Sequence, residues 1–331
     1  MKIFIIIFIL VGSLFSSSSD VTNVWKHFKK SFIKQDAKVV DPHNGYITHT
    51  EGIGYALYFS YSMDDKESFI SIYNWMKSNL KVNKFGLFGW KKGDLTSATD
   101  ANLWIAYSLY LMYDKTKYKP YKDDADRLIK AIKEHQIIIT NKQMFLLPWE
   151  KSLVKEDNIR VNPSYIIFEI FEYMALVDDS KFWNKLIQDS TLLLKKARFS
   201  SLTLNSDWII YNLLTDSYSL PKKYKFFGYD AIRIPLNIIR SHLSLKEKKE
   251  LLKPYKNYLM MMVNIPLGVV ELERGDISIY NLSFGHLAVY IKIADFFEMD
   301  STLFKQILHD RITNDNEDYY SYSLYLFTLL H

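Results

Sequence analysis

Apolar residues recur at helical spacing along nearly the whole chain. Trp25, Phe28 and Phe32 lie three or four positions apart and predict a first amphipathic helix over residues 21–38. The same spacing predicts further helices at about 51–62, from 66 onward, and at 98–113, 121–135, 163–177, 181–197, 205–215, 229–243, 246–263, 280–297, 301–311 and 317–330.

The segments between these helices are mostly short. Residues 81–97 are predicted to form a loop, and 144–149 a short extended piece. About a dozen helices without β-α-β alternation indicate an all-α fold. Two arrangements satisfy the pattern, a ring of six helical hairpins, which is an (α/α)6 barrel, and an α-solenoid. The chain shows no fixed-period repeat, which favours the ring.

Composition suits one large domain. The chain has 331 residues, 48% of them hydrophobic, and only 11 Gly and 8 Pro, as expected for helices with short connections. No linker-like change of composition divides it, so we predict a single domain over residues 20–331.

The N-terminus has the pattern of a secretory signal. Lys2 precedes a mostly apolar run up to Phe15, and four serines follow it. The run is short for a membrane span, although an uncleaved anchor is the alternative. We predict a signal peptide over residues 1–19 and a periplasmic or secreted protein.

Charge and residue content exclude several functions. The net charge of +5 is modest and the lysines are dispersed, so nucleic-acid binding is not expected. Without Cys there is no disulfide, thiol nucleophile or Cys metal site. His43 and His49 belong to no recognisable ligand spacing, and Glu271, Glu273 and Asp276 resemble a cation site only superficially. We therefore predict no metal and no cofactor.

Three carboxylates from distant parts of the chain lie at the start of apolar helical patterns. Glu51 follows the candidate N-cap residues Thr48 and Thr50, and Asp100 and Asp230 follow small or capping residues in the same way. A lone Glu there would simply complement the helix dipole. Three such groups would meet if the helix N-termini gather at one end of a ring.

Two glycines follow the first of these carboxylates in the sequence. Gly52 and Gly54 follow Glu51 and leave room beside it for another group to come close, because they carry no side chain.

Four segments together resemble the family 8 glycoside hydrolases and occur in the order found in that family. They are Thr50–Tyr55, Ser97–Tyr107, Asn162–Tyr165 and Gly228–Arg233, and a weaker likeness continues at Asp318–Leu324. The resemblance implies an (α/α)6 barrel and hydrolysis of a glycosidic bond with inversion.

The resemblance also implies roles for the three carboxylates. Glu51 matches the general acid, Asp230 the general base, and Asp100 the aspartate that binds and helps distort the sugar at the cleavage point. The acid needs a raised pKa, whereas a helix N-terminus favours the anion. Packing of Tyr55 and Trp90 against Glu51 is therefore expected to oppose the dipole.

Several further residues are expected to bind substrate. Trp90, Tyr165 and Tyr229 are candidates for stacking on sugars, with core packing as the alternative. Arg233 lies three residues after the base and is expected to hold its carboxylate or a sugar hydroxyl, with a surface ion pair as the alternative. Asn102 stands where the family often has a second acid, and its amide can still bond a hydroxyl.

Other motif residues have simpler interpretations. Trp104 and Trp208 lie in helical patterns and are assigned to the core. The segment 162–164 is either a helix cap or a ligand contact. Ser321 stands where the family usually has an aspartate, and with Asn102 it is the only sequence support for a barrel that binds polysaccharide without cleaving it.

The expected protein is an exported, monomeric, inverting endo-glycosidase that cleaves β-1,4-glucan, cellulose or a cellulose-like exopolysaccharide. The resemblance also implies association with a cellulose synthase export system. The alternatives are a chitosanase or xylanase of the same family, a non-catalytic polysaccharide-binding protein of exopolysaccharide assembly, and a helical interaction scaffold.

Overall fold

The computed structural model describes residues 18–154, 157–262, 266–278, 282–312, 314 and 318–330. Residues 1–17, which hold nearly all of the predicted signal peptide, lie outside these ranges. Within them, none of the helices has the length and apolar character needed to cross a membrane.

Twelve α-helices make up most of the described chain. They are α1 (Ser18–Phe32), α2 (Thr50–Ser62), α3 (Lys66–Asn79), α4 (Thr99–Thr116), α5 (Lys119–His135), α6 (Phe168–Val177), α7 (Ser180–Lys196), α8 (Arg233–Arg240), α9 (Leu245–Met260), α10 (Phe284–Phe296), α11 (Thr302–Ile312) and α12 (Tyr319–Leu329).

The even-numbered helices form an inner ring, and each packs on the next even-numbered helix from α2 to α12. The odd-numbered helices lie outside, α3 on α2, α5 on α4, α7 on α6, α9 on α8, α11 on α10 and α1 on α12. This is the (α/α)6 barrel, and the prediction of an all-α ring is confirmed.

Burial along each helix explains its layer. Every residue of α4 from Thr99 to Tyr110 is buried, so this helix is apolar or hydrogen-bonded on all faces. In α5 the buried positions, among them Tyr121, Leu128 and Ile132, form a single stripe, while lysines and acids cover the rest. Helices of the first kind fill the interior, and those of the second kind cover it.

Aromatic contacts close the ring between its last and first helices. Phe327 of α12 lies with its ring centroid 4.9 Å from that of Tyr55 and 4.8 Å from that of Phe59, both in α2. Edge-to-face arrangements of this kind add to the burial of the rings themselves.

Gly54 allows the first two inner helices to approach closely. A Cβ at this position would lie 2.8 Å from Trp104 Cβ and 3.2 Å from the Ala101 carbonyl of α4. Trp104 is buried in this crossing, which confirms its assignment to the core.

Short antiparallel sheets lie in the loops that connect the helices. They contain β1 (Ile137–Ile139) and β2 (Met144–Leu146); β3 (Asn158–Val161), β4 (Ile209–Asn212) and β5 (Ser217–Ser219); and β6 (Phe226–Phe227), β7 (Val270–Glu271) and β8 (Asp276–Ile277). Ile137 pairs with Leu146, Asn158 with Asn212, and Phe226 with Glu271. The predicted extended piece at 144–149 is confirmed by β2.

Four predicted helices are wrong in kind or extent. The helix predicted at 21–38 ends at Phe32, and the helix predicted at 163–177 begins as an α-helix only at Phe168. Residues 205–215 contain strand β4, whose side chains alternate between buried and half-buried positions against β3 and β5. The helix predicted at 229–243 begins only at Arg233, and residues 229–232 form a turn. Asp230 therefore precedes its helix instead of lying in its first turn.

Candidate active site

The N-terminus of α2 carries Glu51 at one end of the barrel. The N-cap is His49, whose Nδ1 accepts a hydrogen bond from Gly52 N at 3.0 Å, so the prediction of Thr48 or Thr50 as the cap is wrong. The Thr50 hydroxyl instead donates to the Gly89 carbonyl, which ties the helix start to the neighbouring loop.

The group admitted by Gly52 is a tyrosine hydroxyl. A Cβ at Gly52 would lie 2.9 Å from Tyr319 Oη, which is buried and has no hydrogen-bond partner among the described residues. Tyr319 and Tyr320, at the start of α12, both line the cleft above Glu51.

Asp100 occupies the first turn of α4, deeper than Glu51. Its side chain is 2% exposed, compared with 22% for Glu51 and 34% for Asp230. The carboxyl groups of Asp100 and Glu51 share a hydrogen bond. Of the three acids, Asp230 is therefore the one most open to solvent water.

Asp230 is held from two sides. Asn162 Nδ2 donates to its Oδ2 at 3.0 Å, and Arg233 Nη2 donates to its Oδ1 at 2.8 Å. Asn162 also caps the short 3-10 helix Pro163–Tyr165 by accepting from Ser164 N at 3.0 Å. The interpretation of the 162–164 segment as a cap is confirmed, and the same Asn162 side chain also contacts a predicted catalytic group.

Arg233 joins all three carboxylates. Its Nη1 donates to Glu51 Oε2 at 3.0 Å, to Tyr55 Oη at 3.0 Å and to Asp100 Oδ2 at 3.3 Å. Its Nη2 bonds Asp230 and, at 2.9 Å, Ser164 Oγ. The side chain is only 8% exposed, so the alternative of a surface ion pair is excluded.

This arrangement shifts the pKa values of the two buried acids, Glu51 and Asp100, in opposite directions. Burial raises the pKa of Glu51, but the charge of Arg233 and hydrogen bonds from Asp100 and Arg233 outweigh it, so the pKa lies below its usual range. Burial, followed by the charge of Glu51, raises the pKa of Asp100 well above its usual range. Of the two, Asp100 is therefore the carboxyl group that holds a proton more readily.

A cleft of about 460 Å³ opens above these groups. Trp90, Tyr165 and Tyr229 all line it, together with Glu51, Asp100, Asp230 and Arg233. Tyr229 is 59% exposed, and Tyr165 packs with its ring 5.7 Å from the Arg233 guanidinium. The sequence-predicted aromatic residues and carboxylates thus meet in a single cleft.

Asn102 does not belong to this cleft. It is fully buried, its Nδ2 donates to the Phe88 and Ala98 carbonyls at 3.0 and 2.9 Å, and its Oδ1 accepts from Phe88 N at 2.9 Å. Because its amide is used by the main chain, the prediction that it binds substrate is wrong. It holds the loop that leads to Trp90.

Ser321 is also a packing residue. A Cβ at Gly285 of α10 would lie 2.7 Å from Ser321 Cα, so the two inner helices touch at this point. The Ser321 side chain is buried and bonds Asp318, the N-cap of α12. The two departures from the family pattern thus lie outside the catalytic groups and offer no support for a loss of turnover.

Trp208 lies beside the cleft instead of in a helical core. It is half-buried just before β4, its ring is stacked 5.7 Å from Trp149, and Arg160 lies over it at 4.6 Å. Its ring and that of Tyr165 lie edge to face, with their centroids 6.5 Å apart.

Sequence reasoning did not find Asp207, which contacts the turn that carries Asp230. Its Oδ1 accepts from Gly228 N, Asp230 N and Ala231 N at 3.1, 3.1 and 2.7 Å. The signal was weak, since a lone Asp before a Trp in a misassigned helix suggests no partner.

The acids with a superficial resemblance to a cation site, Glu271, Glu273 and Asp276, are used in ion pairs. Lys225 Nζ lies 3.0 Å from Glu271 Oε1 and also pairs with Glu273, while Arg274 pairs with Asp276 at 3.0 Å. In the part of the chain that is described, no cluster of three or more His, Asp or Glu side chains is placed to hold a metal ion.

The fold and the site together define a glycoside hydrolase. Two carboxylates, Glu51 and Asp230, contact the same guanidinium and therefore lie close enough together to act on one glycosidic bond. They face an open, aromatic-lined cleft in which a sugar chain can lie between them.

Comparison with known proteins specifies the family. Residues 4–331 match the model of the glycosyl hydrolases family 8, and the chain belongs to that family. An endoglucanase of Cellulomonas uda is 27% identical over 278 residues, which cover 80% of this chain and 75% of that protein. A probable endoglucanase of Novacetimonas hansenii is 29% identical over 280 residues, 81% of each chain.

Solved structures agree with this assignment. An endo-beta-1,4-glucanase from Acetobacter xylinum superposes with a TM-score of 0.82 at 27% identity, over 94% of this chain and 97% of that one. A reducing-end-xylose releasing exo-oligoxylanase superposes with a TM-score of 0.72 at 18% identity over 95% and 92%, which shows a shared fold alone.

Proposed function

We propose that this chain is an inverting endo-β-1,4-glucanase acting on cellulose or a cellulose-like exopolysaccharide, with Glu51 as general acid and Asp230 as general base. The observation that carries the proposal is the convergence of Glu51, Asp100 and Asp230 on Arg233 at the floor of one cleft. Membership of family 8 and relatives named as endoglucanases support the glucan substrate.

The reaction needs a water on one side of the sugar and a proton donor on the other. Asp230, the most exposed of the three acids, takes a proton from a water as that water bonds to the anomeric carbon. Glu51 protonates the glycosidic oxygen while its bond to that carbon breaks. The configuration is inverted, and one proton has moved from water to Asp230 and another from Glu51 to the leaving chain.

Glu51 must carry the proton when the bond breaks, although Asp100 is the group with the raised pKa. A sugar hydroxyl donating to Asp100 would stabilise its anion and lower its pKa. The proton would then pass along the hydrogen bond that Asp100 and Glu51 share. Binding of substrate at Asp100 would in this way prepare Glu51 for its role as acid, which resolves the conflict with the helix dipole.

The shape of the cleft supports cleavage of internal bonds. Grooves of about 580 and 590 Å³ adjoin the central cleft and share Tyr229 with it. A polysaccharide can therefore extend beyond the carboxylates. Trp90, Tyr165 and Tyr229 offer ring faces and edges on which sugar rings can stack.

Export is part of the proposal. The N-terminal residues 1–19 have the sequence pattern of a secretory signal, so the mature enzyme would be a single-domain periplasmic or secreted monomer over residues 20–331. Action on cellulose as it leaves the cell would place it beside a cellulose synthase export system.

Release of reducing ends from carboxymethyl cellulose tests this function. Wild type should release them, and Glu51→Gln should abolish release because the glutamine has no proton to donate. The matched control is Glu169→Gln, since Glu169 also pairs with a buried arginine, Arg240, but lies away from the cleft. An active Glu51→Gln enzyme would contradict the assignment of the acid.

The substrate class is tested in the same assay. An enzyme that is inactive on carboxymethyl cellulose but cleaves chitosan or xylan would be a family member of different specificity. Binding of glucan without cleavage of any of these polymers would indicate the non-catalytic alternative.

A further inference from the structure

Asp207 binds the main chain of the turn that presents Asp230. One oxygen of its carboxylate, Oδ1, accepts hydrogen bonds from the amides of Gly228, Asp230 and Ala231 at 3.1, 3.1 and 2.7 Å. These amides precede α8, which begins at Arg233, so the helix supplies no carbonyl for them. A side chain 21 to 24 positions away in sequence performs this task.

The contact between Asp207 and the turn is so close that position 228 favours glycine. A Cβ at Gly228 would lie 2.8 Å from Asp207 Oδ2, a distance that real Cβ atoms essentially never show. The main chain is tied at the same place, since Asp207 N donates to the Phe226 carbonyl at 2.6 Å. Asp207 and Gly228 thus fit each other as a pair.

The opposite side of the turn is held by a different helix. Tyr320 of α12 donates its hydroxyl to the Tyr229 carbonyl. The turn therefore has fixed donors and acceptors on both sides. The remaining freedom of Asp230 is its side-chain rotation, which Asn162 and Arg233 restrict through one oxygen each.

We propose that Asp207 is a positioning residue for the general base, because it fixes the main-chain turn from which Asp230 reaches Arg233, Asn162 and the attacking water. The inference rests on the proposed function for the role of Asp230. Asp207 and Asp230 line the same groove of about 590 Å³, so the hydrogen bonds of Asp207 to the turn lie directly beside the reacting groups. Since a displacement of about 1 Å can cost a 100-fold loss of rate, loosening the turn should affect turnover more than binding.

The test compares two variants of Asp207 on a defined cello-oligosaccharide. Asp207→Ala removes the acceptor and should lower kcat by about 100-fold while KM changes by less than about threefold. Asp207→Asn keeps a carbonyl oxygen at the same place and should restore kcat to within about tenfold of wild type. This rescue distinguishes a lost acceptor from a lost charge.

Asp189 supplies a matched control. It is also buried and accepts a main-chain hydrogen bond, from Met144 N at 2.8 Å, but it lies on α7 outside the cleft. Asp189→Ala should lower the melting temperature and leave kcat within about threefold of wild type. If Asp207→Ala behaves in the same way as Asp189→Ala, the positioning role is overturned.

A second variant covers the case in which Asp207→Ala fails to fold. Gly228→Ala keeps both carboxylates but pushes the Asp207 side chain from the turn, and the same loss of kcat is expected. Unchanged kcat in a folded Gly228→Ala enzyme would also overturn the inference.

A crystal structure of either variant provides a readout that does not depend on activity. We expect the Asp230 carboxylate to move out of hydrogen-bond distance of Arg233 or Asn162, and an unmoved carboxylate would contradict the inference. Wild-type protein that cleaves no β-1,4-glycan would instead refute the proposed function, so the two failures are distinguishable.

Discussion

Replacement of Arg233 by methionine is the most informative single change in this molecule. Methionine keeps much of the volume but removes the charge and five hydrogen bonds, which reach Glu51, Tyr55, Asp100, Ser164 and Asp230. Removing one partner of a buried ion pair typically costs about 3–5 kcal/mol, because the remaining charge loses its compensation. We expect a loss of unfolding free energy in this range at pH 7.

The loss should depend on pH with a definite sign. In wild type the pKa of Glu51 lies below 4.5, its ordinary value, so its ionised form contributes stability above about pH 4.5 that is lost as the pH falls further. Without Arg233, burial alone would raise the pKa of Glu51, and the folded state would then be destabilised above that pH. The deficit of Arg233→Met should therefore be largest near neutral pH and shrink toward pH 4.

Urea unfolding at pH 4 and pH 7, together with activity on carboxymethyl cellulose, measures both consequences. Arg240→Met is the matched control, because Arg240 is a second buried arginine seven residues along the same helix that bonds Glu169, Tyr58 and the Phe327 carbonyl. Both variants should lose stability, but only Arg233→Met should lose cleavage while folded. Equal stability of Arg233→Met and wild type at pH 7, or a deficit that does not shrink at pH 4, would refute this reasoning.

Three further changes test other parts of the structure. Burial, followed by the charge of Asp230, raises the pKa of Asp207 to about 7. The folded protein therefore keeps a proton on Asp207 at pH values where the unfolded chain has released it. This proton stabilises the folded state at low pH, and the stabilisation is lost as the pH rises from about 4 to 7. The unfolding free energy of Asp207→Asn should therefore rise relative to that of wild type by up to about 4 kcal/mol over that range, as measured by urea titrations. A difference between the two proteins that does not change with pH would contradict the raised pKa. Asn102→Ala leaves the Phe88 N–H and carbonyl unpaired and should lose about 1–3 kcal/mol of stability with little change in KM; a large rise in KM at unchanged stability would restore Asn102 as a substrate ligand. Ser321→Asp should destabilise the protein by about 1–3 kcal/mol through overpacking against Gly285, as measured by thermal unfolding, and add no activity; an increase in turnover would show that the family aspartate was missed in this chain.

Helical spacing and turn signals agree along most of the chain and predicted an all-α fold, and the resemblance to family 8 supplied the choice of a barrel. Asp65, for example, is an N-cap residue type directly before α3, and it accepts a hydrogen bond from Ser68 N at 3.1 Å. The misassigned segment 205–215 has apolar residues at spacings that fit both a helix and a strand. The strand is selected by its pairing with β3, which is distant in the sequence, and with β5, which has only a weak strand pattern of its own.

The three carboxylates were predicted from their place before apolar helices and from resemblance, but their electrostatics were not. Arg233 was expected to hold the neighbouring Asp230 carboxylate or a sugar hydroxyl, whereas the barrel also brings Glu51 and Asp100 to the same guanidinium from 182 and 133 positions away. Asn102 illustrates the opposite error. It stands where the family often has a second acid, which suggested a substrate contact, but two residues beyond Asp100 on a helix the side chain points elsewhere.

The most direct test of the central claim is the anomeric configuration of the first product from a defined cello-oligosaccharide, followed by proton NMR during the first minutes of cleavage. A base at Asp230 that activates water opposite Glu51 predicts the α-anomer as the initial product, with the β-anomer appearing only through mutarotation. An initial β-anomer would mean that configuration is retained and would contradict the assigned roles of Glu51 and Asp230.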